Sequence, residues 1–74
     1  MKLEIPRGAT LLDVGQRGGY LFLWFQVDDK AHTEERVFQV YGLGWDIQDP
    51  EKLSFVGSVV DLNGVVWFVY EELS

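Results

Sequence analysis

Four carboxylates and the only histidine of the chain fall in one run, Asp28-Asp29-Lys30-Ala31-His32-Thr33-Glu34-Glu35. Oxygen ligands at that density can hold a hard cation, but the spacing is wrong. A calcium loop of the helix–loop–helix type needs Gly at its sixth position and Glu at its twelfth, and neither is in place. With no cysteine and a single histidine, zinc is excluded. The run therefore reads as a solvated loop, and no metal or cofactor is expected. Nucleophilic catalysis finds no better footing. Thr10, Thr33, Ser54, Ser58 and Ser74 are the only hydroxyls besides the tyrosines, and none sits in a Gly-x-Ser-x-Gly elbow. Glu71 and Glu72 are adjacent at a strand end and point to opposite faces, which is wrong for a shared acid/base pair. No catalytic residue is assigned and the chain is not expected to be an enzyme.

Binding chemistry has three candidates. The glycines of Gly15-Gln16-Arg17-Gly18-Gly19 could cradle a phosphate beside a guanidinium, but a phosphate loop opens a helix and here a strand follows, which favours a hairpin with a bulge or a loop of positive φ. In Tyr41-Gly42-Leu43-Gly44-Trp45-Asp46, two glycines let backbone approach closely beside an aromatic and a carboxylate, a common composition for a site. Its plainer reading is a β-bulge with Trp45 plugging one end of the core. Finally, Asp28, Asp29, Glu34 and Glu35 would converge if the polar segment between them were the tip of one hairpin. Offset only by Lys30 and Arg36, they would then make an acidic end that attracts a basic surface.

The elements that must position these residues are strands. Apolar residues do not recur at helical spacing for more than two turns, whereas β-branched and aromatic residues cluster in short runs closed by Gly, Asn, Asp and Pro. The runs predict strands at Lys2 to Ile5, Thr10 to Gln16, Tyr20 to Asp28, Glu35 to Tyr41, Leu53 to Leu62 and Val65 to Tyr70. The third and fourth are expected to form a hairpin across the polar loop, and the last two a hairpin closed by a type I′ turn at Asn63-Gly64. Between them a crossing loop carries a candidate helical turn, with Asp49 as cap and Pro50 in the first position. About six short antiparallel strands imply an all-β domain over residues 1–74, a small barrel or a two-layer sandwich.

Several strands are apolar on both faces. In the third, Leu21, Leu23, Phe25 and Val27 oppose Tyr20, Phe22 and Trp24; in the last, Val65, Trp67 and Val69 oppose Val66, Phe68 and Tyr70. A sheet with one wet face would be polar at half of these positions, so a second copy, most simply in a dimer, or a partner is expected to cover the remainder. Seventy-four residues are too few for a two-domain or doubly wound fold. A net charge of −6 argues against direct binding to duplex nucleic acid, which needs cations along its phosphates. Met1-Lys2-Leu3-Glu4 does not open a signal peptide and no apolar stretch is long enough to span a bilayer, so a cytoplasmic chain without membrane contact is expected.

Taken together, several phrases resemble a family of short, functionally uncharacterised all-β proteins of bacteriophages and prophages. They are Pro6-Arg7-Gly8-Ala9, Leu11-Leu12-Asp13-Val14 up to Gly18, Leu23-Trp24, Val27-Asp28, Thr33-Glu34-Glu35-Arg36-Val37-Phe38, Tyr41-Gly42-Leu43-Gly44-Trp45-Asp46-Ile47, and the aromatic run Val66 to Glu71. Trp45 stands where that pattern usually has His, which removes any histidine chemistry there. The pattern's extra first strand is absent. The resemblance implies the cytoplasm of a bacterial host, and a small acidic protein that binds and inhibits a host protein, such as a defence complex with a basic surface. Two other functions remain open. One is a homo-oligomeric sponge for a small signalling nucleotide, with Trp45, Tyr41, Arg36 and Arg17 around a pocket; the other is a structural or assembly part of the virion.

Overall fold

A computed structural model describes residues 1–73. It contains six strands, β1 (Lys2–Pro6), β2 (Thr10–Arg17), β3 (Tyr20–Gln26), β4 (Thr33–Gly42), β5 (Leu53–Val60) and β6 (Val66–Glu72), with one 3-10 turn at Pro50–Lys52. β1, β4, β6 and β5, in that order, form one antiparallel sheet, and β2 and β3 form a second. The fold is all-β, two antiparallel sheets in a sandwich rather than a closed barrel.

Alternation along β4 decides what faces the core. Phe38 and Val40 turn inward with Val69 and Trp67 of β6, which stand beside Val40 and Gly42 in the register. Phe38 and Val69 have no exposed surface, and Ala9 and Val59 are also buried. The Phe25 ring of β3 meets Phe38 edge-on at 6.0 Å, bridging the two sheets. At the other contact between layers, β5 carries a bulge between Phe55 and Gly57. A Cβ on Gly57 would stand 2.5 Å from Val14 Cγ2, so the absence of a side chain there is what lets β2 lie against β5.

Three local expectations are corrected. β3 and β4 do not form a hairpin. β4 is occupied on both edges, by β1 and β6, so residues 27–32 cross between sheets instead. The type I′ geometry belongs to Gly18-Gly19, both at positive φ (57° and 86°), which close a two-residue loop between Arg17 and Tyr20. At the other hairpin only Gly64 is at positive φ, and Gly64 N–H donates to Asp61 C=O while Asp61 N–H donates to Val65 C=O. That is a three-residue loop with a glycine bulge, which ends β5 at Val60 rather than Leu62. Pro50 does open the 3-10 turn, but Asp49 sits at φ 49° and its side chain makes no capping bond.

Candidate functional site

β3 presents its two faces differently. Leu21, Leu23 and Phe25 point to the core and are half-buried, while Tyr20, Phe22 and Trp24 line the outer face at 75%, 42% and 41% exposure. Their partners on β2 are Arg17, Gly15 and Asp13. Gly15 leaves a gap in that face, and the Trp24 indole leans into it, 3.2 Å from where a Cβ would be. Phe22 and Trp24 are tilted against each other with centroids 5.9 Å apart. The row is thus held by a tight hairpin and flanked by one cation and one carboxylate. Sequence alternation placed these three residues on one face but did not mark them as a site, because β4 was expected beside β3 in addition to β2, which does pair with it.

The expected acidic end does not assemble. Glu34 faces inward on β4 and accepts the Gly8 N–H at 3.1 Å; Glu35 faces outward, opposite Glu4. Asp28 folds its carboxylate back onto the Lys30 N–H at 3.1 Å, and Asp29 is exposed beside it in the crossover. The hairpin that would have brought all four together is not formed.

Arg36 is bound into the fold. Its guanidinium grips the Glu71 carboxylate with two parallel bonds, Nε to Oε2 at 2.5 Å and Nη2 to Oε1 at 2.6 Å, and Nη1 donates to Ala9 C=O at 2.5 Å. It also lies 5.5 Å from the Phe25 ring centre and 5.9 Å from that of Phe38. The hydrogen bonds to Glu71 hold the guanidinium above its ordinary pKa. A fork used on three sides ties β4 to β6, to the β1–β2 turn and to β3.

Tyr41 faces the opposite side of its sheet, its ring edge-on to Tyr70 at 5.8 Å and its hydroxyl donating to Gln39 Oε1. Trp45 follows a turn closed by its own N–H on Gly42 C=O at 3.1 Å, with Gly44 at φ 82°. Its indole folds over Gly42, where a Cβ would come within 2.8 Å, and meets Trp67 edge-on at 5.5 Å, yet 58% of it stays exposed. It is both a lid on the end of the core and an accessible aromatic. Asp46 is exposed. Arg36 and Gly42 are six positions apart along β4, about 20 Å at the rise of a strand, so within one chain Arg36 does not share a pocket with Trp45.

A feature missed in the sequence lies beside Trp67. A cavity of about 310 Å³ opens between the sheets, lined by Gln16, Gly19, Leu21, Val40, Val59, Asp61 and Trp67. Asp61 Oδ2 accepts the Trp67 indole N–H at 2.9 Å, while Oδ1 accepts the Asn63 and Val65 N–H groups at 2.8 and 2.9 Å. These bonds, that from Trp67 first and that from Val65 next, pull the Asp61 carboxyl below its ordinary pKa. The signal was Asp two residues before Asn-Gly, a side chain apt to hydrogen-bond its own turn.

A family model described as Domain of unknown function (DUF7352) matches residues 1–74. The chain belongs to that family. No curated protein and no solved structure matches the chain. Among the described residues of this DUF7352 member, no helix is long and apolar enough to cross a membrane.

Proposed function

We propose that the chain is a non-enzymatic binding protein that docks on a host protein and inhibits it, using the outer face of the β2–β3 hairpin. One observation carries this reading, the exposed row Tyr20, Phe22 and Trp24 on a two-residue hairpin. Rigid exposed aromatics bury much area at low entropy cost, and Trp and Tyr are enriched where binding energy concentrates. The net charge of −6 favours a partner with a basic surface and speeds its encounter. The resemblance to phage and prophage proteins supports a bacterial cytoplasm as the setting of this reading and a defence protein as its target.

The test is capture from bacterial lysate by the immobilised protein, followed by binding measurements on the purified captured protein. Phe22→Ser with Trp24→Ser should weaken binding about 100-fold, the effect of losing two central aromatic anchors, measured at a temperature where circular dichroism shows the variant folded, since both rings are more than half buried and their loss also lowers the melting temperature. If Trp45→Ala abolishes capture and the β3 substitutions do not, the site is the Gly42-to-Asp46 loop. A second reading, a small-molecule sponge, is favoured by the cavity beside Trp67, whose about 310 Å³ lies within the range of ligand sites. A nucleotide extracted with the purified protein would support it.

A further inference from the structure

β3 has one neighbour. The two-residue loop makes Arg17 and Tyr20 a hydrogen-bonded pair, so antiparallel alternation gives the N–H and C=O groups of Tyr20, Phe22 and Trp24 to β2 and turns those of Leu21, Leu23 and Phe25 to the opposite edge. Among the described residues no strand pairs with that edge, and no loop backbone bonds to it. The devices that usually blunt an edge are also missing: Tyr20–Gln26 contains no charge, no proline and no bulge of its own. Leu21, Leu23 and Phe25 face the core yet stay half-buried, because the layer stops at β3.

The surface area agrees with an uncovered face. The chain exposes 5438 Å². A compact monomer of its 8.5 kDa would expose about 4,650 Å², and the excess of roughly 800 Å² equals one partner's share of a standard protein interface.

We propose that two copies of the chain pair their β3 edges antiparallel about a two-fold axis at Leu23. The join makes a continuous four-stranded sheet, β2-β3-β3-β2. This register satisfies the edge groups of Leu21, Leu23 and Phe25 along the whole strand. On the core side it sets Leu23 against the partner's Leu23 and Leu21 against the partner's Phe25. On the outer side it sets Phe22 against the partner's Trp24, so the two aromatic rows merge into one band and remain open to a third protein. The dimer therefore stands independently of what that band binds. Each copy carries −6, so added salt strengthens the association.

The experiment uses the full chain and exploits its lack of cysteine. Sedimentation of the unmodified protein should show a dimer that tightens with salt. Phe22 and the partner's Trp24 would form a non-hydrogen-bonded pair with Cα atoms about 4.5 Å apart, within disulfide reach. A mixture of Phe22→Cys and Trp24→Cys chains, oxidised gently, should therefore cross-link about fivefold more than either alone or than Leu43→Cys, a control at an exposed turn. A monomer at all concentrations overturns the proposal. So does a dimer in which Phe22→Cys alone cross-links as well as the mixture, or Leu43→Cys as well as both. A dimer of the unmodified protein that captures no partner would instead overturn only the docking function.

Discussion

Gly57 is where the smaller sheet rests on the larger, and Gly57→Ala tests that contact. The substitution is not a backbone problem, since Gly57 is not among the positive-φ glycines. It is a problem of space. The new methyl would stand 2.5 Å from Val14 Cγ2, against about 3.5–4.0 Å for an ordinary carbon contact, and β-branched Val14 has little χ1 freedom with which to yield. Overpacking of this kind costs about 1–3 kcal/mol, while alanine's smaller unfolded-state freedom returns about 0.4–1 kcal/mol. The net is a loss of about 1–2 kcal/mol, or a melting temperature lower by roughly 4–16 °C in a domain of this size. Thermal melts followed by tryptophan fluorescence measure it. The sharper assay is a double-mutant cycle with Val14→Ala, which removes the clashing atom. The double variant should be more stable than the sum of the two losses predicts, by about 1 kcal/mol. An unchanged melting temperature for Gly57→Ala, or strict additivity with Val14→Ala, would refute the contact as the fulcrum of the sandwich.

Arg36→Ala strands the Glu71 carboxylate and the Ala9 carbonyl; because the pair is 17% and 20% exposed, the loss should fall below the full cost of breaking a buried pair, at about 2–3 kcal/mol in urea titrations. Arg36→Lys should recover less than half of it, lacking the planar fork. Trp45→Ala should cost about 2–3 kcal/mol, from roughly 100 Å² of its surface that is buried against Gly42 and Trp67, with the same urea assay deciding. For Asp61 the folded carboxyl titrates below the unfolded one, so its stabilisation is complete above the unfolded pKa of about 4 and is lost as pH falls through the folded value. Asp61→Asn should accordingly melt lower than the parent at neutral pH, and the gap should close in melts taken below about pH 4.

Strand content was legible because alternation and turn residues are local. Phe38 and Val40 on one side of β4 and Gln39 and Tyr41 on the other follow from a period of two, and the structure keeps that division. Pairing is not local. The polar segment from Asp28 reads the same whether it returns a strand beside its neighbour or carries it to another sheet, and only the capture of both edges of β4 by β1 and β6 decides between them. The same missing information dispersed the acidic cluster. Glu34 and Glu35 are adjacent in sequence, so a strand sends them to opposite faces, one to the Gly8 N–H and the other outward. Turn type was half legible: Asn63-Gly64 and Gly18-Gly19 both allow positive φ, and the geometry went to the pair with no side chains to displace.

Arg36 and Tyr20 show why the candidate site was harder to find than the fold. A charged residue on an otherwise apolar strand attracts attention as a ligand group, yet its five donors suit it equally to stapling a small core, and Glu71, which takes the fork, lies 35 positions away. An aromatic row on a strand, by contrast, looks like core. Two-sided apolarity establishes that a cover is missing, but it leaves open which of the two faces lacks one. That depends on whether a strand has neighbours on one side or both, and on which layer it joins. β3 has a single neighbour, so it lacks a cover both above its outer face and along one edge. Those deficits call for different occupants, a side-chain surface for the first and another strand for the second. In the proposed dimer a second copy of β3 supplies the strand and leaves the aromatic face free, so self-association and the proposed partner binding on this hairpin need not compete.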